Sequence, residues 1–384
     1  MKIGLVSRHF NPDRGGAEQW TWHLANRAVA AGYEVHVIAQ NFAPATRGPA
    51  IVPHVVPRVH SPYAFAAAID ETVRKLDLDL VHDMGFGWHC DILQPHFGSP
   101  RAQFERKLMA LPRWQSMVRR TLSAVSPRAR QNDRVSALQY ADQRRLVIAL
   151  SKLVARDLER VHGWPMERTR LVYNGVDLAR FTPQNRPLHR EDVRRRLHVR
   201  EDDLLVLFVA HNFALKGLPT LIRAVAELRR TNRPVRLVAL GGGQPGRFAK
   251  MAQRLGAASA VQFLGPVEDA APFYAAADVF ALPTWYDSCS LVVLEALACG
   301  LPVITTTHNG AGELMTEGLE GFLIDDPGDW EELVRSLKLL LDAGIRSRIG
   351  SAARRLAERH PLEANYQQVM GLWQQLAGRM RRAA

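Results

Sequence analysis

The chain has 384 residues, 47% hydrophobic and 23% charged. That is too long for one ordinary core, suits two domains, and excludes disordered and collagen-like classes. Its formal net charge of +12 favours polyanionic partners (nucleotide phosphates, anionic lipid headgroups, nucleic acid) without choosing among them. Cys90, Cys289 and Cys299 show no metal-ligand spacing and suit a reducing cytoplasm. No apolar run approaches the roughly 20 residues of a membrane span.

In chain order, Ile3 to Val6 predicts a strand, and the polar residues after it argue for a buried first strand rather than a secretory signal. The loop Phe10 to Gly16 leads into a helix over Ala17 to Ala31, stopped by Gly32, and a strand over Val35 to Ala39. Strand, glycine-containing turn, helix and strand form the βαβ unit of a parallel sheet. Further strands are expected at Val52 to Val59, Leu80 to His82 and Leu146 to Leu150, with a mainly helical stretch from Ala102 to Tyr140. That stretch lies in the basic region Arg101 to Arg145, which carries Arg106, Lys107, Arg113, Arg119, Arg120, Arg128, Arg130, Arg134 and Arg144 against Glu105, Asp133 and Asp142. It reads equally as a polyanion-facing surface or as a solvated helical face. Arg379, Met380, Arg381 and Arg382 add a basic C-terminal cluster.

Leu204 to Ala210 restarts the rhythm as a continuous apolar strand of the kind buried on both faces. Strands Val235 to Leu240, Val261 to Leu264, Val279 to Leu282 and Val303 to Thr306 alternate with helices at Thr220 to Arg230, Phe248 to Leu255, Pro272 to Ala277 and Leu291 to Cys299. The expected fold is α/β, with two doubly wound parallel-sheet domains. Their boundary falls between Leu171 and Arg200, where Asn174-Gly175, Pro183 and Pro187 punctuate the chain.

Four segments carry chemistry. After the strand ending at Leu282, a helix opens near Ser290, and the amides of Ser290, Leu291 and Val292 form a site for an anion such as a pyrophosphate. Asp287 and Glu295, one before that helix and one about two turns into it, are placed to accept hydrogen bonds from sugar and ribose hydroxyls. The plainer reading makes Asp287 or Ser288 a helix cap and Glu295 an exposed helix residue. Lys216, in the loop His211 to Gly217, can set an ammonium on a diphosphate leaving group. Gly15-Gly16 lets backbone approach phosphate or sugar, in a spacing that is not Gly-x-Gly-x-x-Gly and so counts against a dinucleotide oxidoreductase. His96, in the loop Asp91 to Ser99, is a candidate proton carrier beside an acceptor hydroxyl, with a hydrogen-bonded structural histidine as the alternative.

The run Tyr286 to Ile304 resembles the signature of family 4 of the GT-B glycosyltransferases: two acids separated by seven residues, a small-residue helix end and Gly-x-Pro-Val. The resemblance implies a GT-B fold, two Rossmann-like domains facing a cleft. Residues 1–172 would be the acceptor side with a C-terminal helix 365–384 packed back on it, and residues 173–364 the nucleotide-sugar-binding side. It also implies that Glu295 holds the donor ribose, that Asp287 contacts the transferred sugar, and that Lys216, Ser288, Cys289, Ser290, Leu291 and Val292 surround the donor. Asp287 stands where the family usually has Glu, Ser288-Cys289-Ser290 where it has glycines, and His211 where it has an arginine. Gly15-Gly16 with Asn11 to Arg14 resembles the loop over the donor diphosphate, and Asn174-Gly175-Val176-Asp177 the interdomain segment. Gly241-Gly242-Gly243 and Phe263-Leu264-Gly265 resemble the base-holding strand ends, and His308 to Glu313 an acceptor or donor edge.

Within the family, the string Tyr286 to Glu295 and Gln94-Pro95-His96 resemble bacterial lipopolysaccharide core heptose α-1,3-glucosyltransferases. That likeness implies a cytoplasmic enzyme, peripheral on the inner membrane, that moves glucose from a UDP-sugar to an anionic glycolipid or glycan; the family resemblance implies retention, and no cofactor, metal or nucleic-acid partner is expected. No metal-binding Asp-x-Asp cluster is expected. The alternatives are a GT-B-fold nucleotide-sugar 2-epimerase and a non-enzymatic binder that uses the basic face for membrane or nucleic acid.

Overall fold

The computed structural model describes residues 1–44 and 50–383, with side chains through Gly378, so the basic cluster Arg379, Met380, Arg381 and Arg382 lies outside the described side chains. The chain divides into two compact units, Met1–Tyr173 with Ala364–Ala384, and Asn174–Glu363. Each is built on one parallel sheet.

The first unit holds β1 (Lys2–Val6), β2 (His9–Phe10), β3 (Glu34–Ala39), β4 (Asn41–Phe42), β5 (Ile51–Val55), β6 (Leu80–Asp83), β7 (Ile92–Leu93), β8 (Leu146–Ala149) and β9 (Thr169–Leu171). Seven of them form a sheet in the order β5-β3-β1-β6-β7-β8-β9, while β2 and β4 pair separately. Every ladder is parallel, with Ile3 opposite Val35 on one side of β1 and Leu80 on the other. The chain moves outward from β1 in one direction through β3 and in the other through β6, so the strand order reverses between β1 and β6. Val6, Ile38, Phe65, Ile69, Leu93, Val147 and Trp164 are buried together in one core cluster, each such side chain contributing roughly 1.5–3 kcal/mol when fully buried.

The expected strand Val52 to Val59 ends at Val55, and the loop expected over Asp91 to Ser99 contains the two-residue strand β7. A strand that short leaves no alternating pattern to read. The helical stretch resolves into three helices, Pro100–Met109, Arg113–Val125 and Pro127–Gln139. The first and third of these, and the earlier helix Pro62–Arg74, each begin with a Ser-Pro pair. Ser61, Ser99 and Ser126 accept hydrogen bonds from the amides of Ala64, Ala102 and Ala129, at 3.1, 3.4 and 3.4 Å. Proline preset for the first turn and a serine cap explain why these helices start where they do.

The C-terminal helix Leu362–Ala383 supplies the first unit with Asn365, Tyr366 and Trp373. Trp20 Nε1 donates to Asn365 Oδ1 at 2.7 Å, and Trp373 Nε1 donates to His82 Nδ1 at 3.2 Å.

In the second unit, β10 (Leu204–Val209), β11 (Val235–Leu240), β12 (Val261–Gly265), β13 (Val279–Ala281), β14 (Val303–Thr306) and β15 (Gly321–Ile324) form a parallel sheet in the order β12-β11-β10-β13-β14-β15. Here the reversal lies between β10 and β13. All six residues of β10 are apolar and five are buried, as expected for a strand covered by helices on both faces. Asp278, just before β13, is buried and paired with Arg186, Arg190 and Arg194 at 3.2, 2.8 and 3.0 Å.

Candidate active site

Ligands of open α/β sheets bind outside the carboxyl ends of the strands, where the order reverses. In the second unit the loops at that place follow β10 and β13, and they carry Lys216 and Asp287. The first loop ends at Gly217, whose φ is +80° and where a Cβ would lie 1.8 Å from the Pro283 carbonyl oxygen. Only glycine lets the two loops approach this closely. Trp285 N donates to Leu215 O at 2.9 Å and fixes their register.

Lys216 Nζ then reaches across to Asp287 Oδ2 at 2.5 Å and to the Tyr286 carbonyl at 3.1 Å. The two side chains are 20% and 15% exposed, so the pair sits in a recess, open at one side. An ammonium has three donors, and two are engaged here.

The segment after Asp287 is held from two sides. Asp287 N donates to His308 O at 3.0 Å and Gly310 N donates to Asp287 O at 2.9 Å. Asn174 Nδ2 donates to Cys289 O at 2.7 Å. The helix Leu291–Ala298 begins at Ser290, with no side-chain cap. The expectation of three open amides is corrected at one position: Ser290 N donates to Asn309 Oδ1 at 3.3 Å. Asn309 is fully buried, also accepts from Ala311 N and donates to Thr305 Oγ1, and so ties the helix start to the loop after β14. The sequence marked Asn309 only as part of a loop; its contact with position 290 is a property of the sheet order.

Two turns along this helix, Glu295 Oε2 accepts a 2.8 Å hydrogen bond from the Tyr274 hydroxyl. Burial raises its carboxyl to about 7, against the lowering effect of that hydrogen bond. Glu295 is therefore neither a plain exposed helix residue nor a fixed anion. Cys289 and Cys299 are buried, each thiol pushed up to about 12 by burial, which makes them packing groups. The glycines after β11 lie at the same edge of the sheet: a Cβ on Gly241 would meet Ala210 O at 1.9 Å. His211 is exposed, and its Nδ1 lies 3.5 Å from where a Cβ would be on Gly242.

The remaining predicted residues fall in the first unit. Gly16 opens the helix Gly16–Ala30, with Gly15 as its cap and no side-chain capping bond. His96 is buried, its ring centroid 4.7 Å from that of Trp20, and burial lowers its imidazole to about 3. It stays neutral near pH 7, a poor proton acceptor but a competent hydrogen-bonding group. Asp83 was not singled out from sequence. Its carboxylate accepts the amides of Gly85, Phe86 and Gly87 at 2.7, 2.6 and 2.7 Å and shapes the loop after β6, while burial raises its carboxyl to about 6.

One Asp-x-Asp spacing is present, Asp77-Leu78-Asp79. Its carboxylates are engaged by Lys2, Asp77 with Nζ at 2.9 Å and Asp79 with the backbone amide at 2.7 Å, at the opposite, amino edge of the sheet. Among the described residues no group of three His, Cys, Asp or Glu side chains is placed to hold a metal.

Residues 14–180 match the profile described as Glycosyltransferase Family 4, and residues 189–356 the profile described as Glycosyl transferases group 1. A D-inositol 3-phosphate glycosyltransferase 2 of Catenulispora acidiphila is 30% identical over 90% of this chain and 88% of its own length. The chain belongs to the family 4 glycosyltransferases. A D-inositol 3-phosphate glycosyltransferase of Corynebacterium jeikeium is 28% identical over 98% of this enzyme and 97% of its own length. Among solved structures, WaaG, a glycosyltransferase involved in lipopolysaccharide biosynthesis, superposes with a TM-score of 0.81 at 22% identity, covering 96% of this chain and 98% of WaaG. Anabaena Alr3699/HepE in complex with UDP-glucose gives 0.73 at 20% identity, covering 98% and 100%. The fold is GT-B, and the relatives support an enzyme of the hexosyltransferase class.

Proposed function

We propose that this glycosyltransferase moves a hexose, glucose first among candidates, from a UDP-sugar to a hydroxyl of an anionic glycolipid or glycan, with retention and without a metal. The second unit holds the donor and the first unit the acceptor. One observation carries the donor assignment: Lys216, Asp287, Glu295 and an uncapped helix start converge at the reversal of one sheet. The ammonium and the amides of Leu291 and Val292 suit a diphosphate that gains charge as the glycosidic bond breaks. Asp287 is placed for the sugar and Glu295 for the ribose. With no carboxylate assigned as nucleophile, the acceptor attacks the face the diphosphate leaves, and a phosphate oxygen takes the acceptor proton.

The acceptor side is supported by the helix Arg113–Val125. No residue of it is buried, and Trp114, Met117, Val118, Leu122 and Val125 are 67, 71, 51, 61 and 60% exposed. They recur at helical spacing on one face, beside Arg113, Arg119 and Arg120. An apolar face with flanking arginines suits an interfacial helix on anionic lipid. Among the described residues no helix is long and apolar enough to cross a membrane. The names of the inositol 3-phosphate relatives favour a second acceptor, a small phosphorylated cyclitol.

A thermal-shift panel of UDP-, GDP-, ADP- and CMP-sugars tests the donor reading, since a ligand bound to the folded state raises the melting temperature. UDP-glucose should stabilise the wild type and not Lys216→Ala. Stabilisation by none of the four would overturn it.

A further inference from the structure

The first unit has its own reversal, between β1 and β6, and a cavity of ≈ 180 Å³ opens there. It is lined by the chain following β1 (Arg8), β6 (Met84 to Phe86) and β7 (Pro95, Phe97), and by the helix Pro127–Gln139 (Arg128, Asn132). We infer that this cavity binds a phosphorylated sugar of the acceptor, with Arg8 and Arg128 holding the phosphate and Phe97 covering the ring, an inference that rests on the acceptor reading of the first unit given above.

Charge is the first support. Among the described residues lining the cavity none is acidic. Arg8 is half-buried, its guanidinium over the Phe65 ring at 4.9 Å, and burial followed by the charge of Arg128 lowers its affinity for a proton. Neighbouring His9 is lowered by burial and by Arg14, Arg8 and Arg58. Cations gathered in a partly buried recess repel one another, and a bound anion relieves that repulsion. Arg128 also lies in the first turn of its helix, whose dipole adds to the same attraction.

Shape is the second support. At ≈ 180 Å³ the cavity is smaller than ordinary cofactor pockets, which suits a single ring with its phosphate better than a whole nucleotide. Phe97 is 53% exposed at the mouth, a flat apolar surface of the kind sugars stack upon. Arginine forks match phosphate oxygens in pairs.

The test is calorimetry on the full chain with glucose 6-phosphate, glucose and inorganic phosphate, and with phosphatidylinositol 4-phosphate vesicles as a lipid source of the same chemistry. Glucose 6-phosphate should bind measurably and more tightly than inorganic phosphate, and glucose should not bind. Arg128→Gln, an exposed change with little risk to folding, should weaken binding about tenfold, and Arg8→Lys should weaken it less than Arg8→Gln. Arg128-dependent binding to vesicles alone would assign the site to a lipid-borne sugar phosphate. Equal binding of glucose and glucose 6-phosphate, equal binding of inorganic phosphate, or no Arg128-dependent binding to either sugar phosphate source would overturn the inference. UDP-glucose binding by the unaltered chain, measured in parallel, reports separately on the donor reading.

Discussion

The two sheet reversals differ in how their charges are balanced. In the second unit Lys216 is paired with Asp287 and Glu295 is bonded to Tyr274, while at the opposite, amino edge of the same sheet Asp278 gathers three arginines. In the first unit the carboxylate of Asp83, at the end of the reversal strand β6, is consumed by three amides of its own loop, and the cavity presents Arg8 and Arg128 with no acid among its described lining. A site of internal pairs is set before the ligand arrives, and the ligand must exchange places with an existing partner. A site of surplus charge is completed by its ligand. On the proposed donor reading, the donor phosphate would compete with Asp287 for Lys216 and leave Asp287 available to the sugar.

The largest effect is expected where the paired charges are structural. Asp278 is 3% exposed at its side chain. Burial would raise its carboxyl, but Arg190, the Leu205 amide, Arg194 and Arg186 hold it below its ordinary value. Asp278→Ala leaves Arg194, itself 6% exposed, without its countercharge. Breaking a buried pair from one side costs about 3–5 kcal/mol, measurable by urea denaturation. A loss below about 1 kcal/mol would show that this network is held by its carbonyl partners alone. Next comes Lys216→Ala. Loss of a positioned cation should lower kcat/KM by roughly 10²- to 10³-fold, while the partly open ion pair accounts for about 1 kcal/mol of stability at most. A variant that lost stability and kept activity would invert the contrast between the two clusters.

Much of this was legible before the structure. The apolar strands of the second unit are long, buried on both faces and bounded by turn residues, so Leu204–Val209, Val235–Leu240 and Val303–Thr306 were placed within a residue. Lys216, Asp287 and Glu295 were singled out, but the ion pair between the first two was not, because a contact across 71 residues is set by strand order. The same holds for Asn309 on Ser290 N and Asn174 on Cys289 O. Strands β7 and β9 escaped notice because two and three residues show no period. The exposed face of Arg113–Val125 was hidden because a hydrophobic stripe on a helix ordinarily means burial.

Glu295 gives a smaller effect with a definite sign. Its carboxyl is raised from 4.5 to about 7 by burial. The protonated form is the one folding favours, so the stability tied to it is full below about pH 4.5 and is lost as the pH climbs through 7. If ribose hydroxyls donate to the carboxylate as proposed, donor affinity should rise over the same interval and binding should release protons. Glu295→Gln keeps an acceptor for Tyr274 and removes the partly buried charge. At pH 8 it should be more stable by about 1–2 kcal/mol and bind UDP-glucose roughly tenfold more weakly, with the pH dependence gone. Retention of the pH profile in Glu295→Gln would move the titration to another group.

The smallest expected effect concerns a surface that neither reversal explains. Trp114 and Met117 lie 67% and 71% exposed on a helix with no buried residue, so replacing either should leave folding within about 0.5 kcal/mol of wild type. If that face meets anionic lipid, Trp114→Ser should weaken partition into phosphatidylglycerol vesicles by about threefold to fivefold. Arg119→Gln should lower binding most at low salt, since each surface-proximal arginine contributes about 1 kcal/mol that salt screens. The two substitutions separate the causes: one loss persists in high salt and the other fades. Binding unchanged by both would detach the helix from the membrane and leave the cavity at Arg8 and Arg128 as the first unit's only argued means of recognising an anionic acceptor.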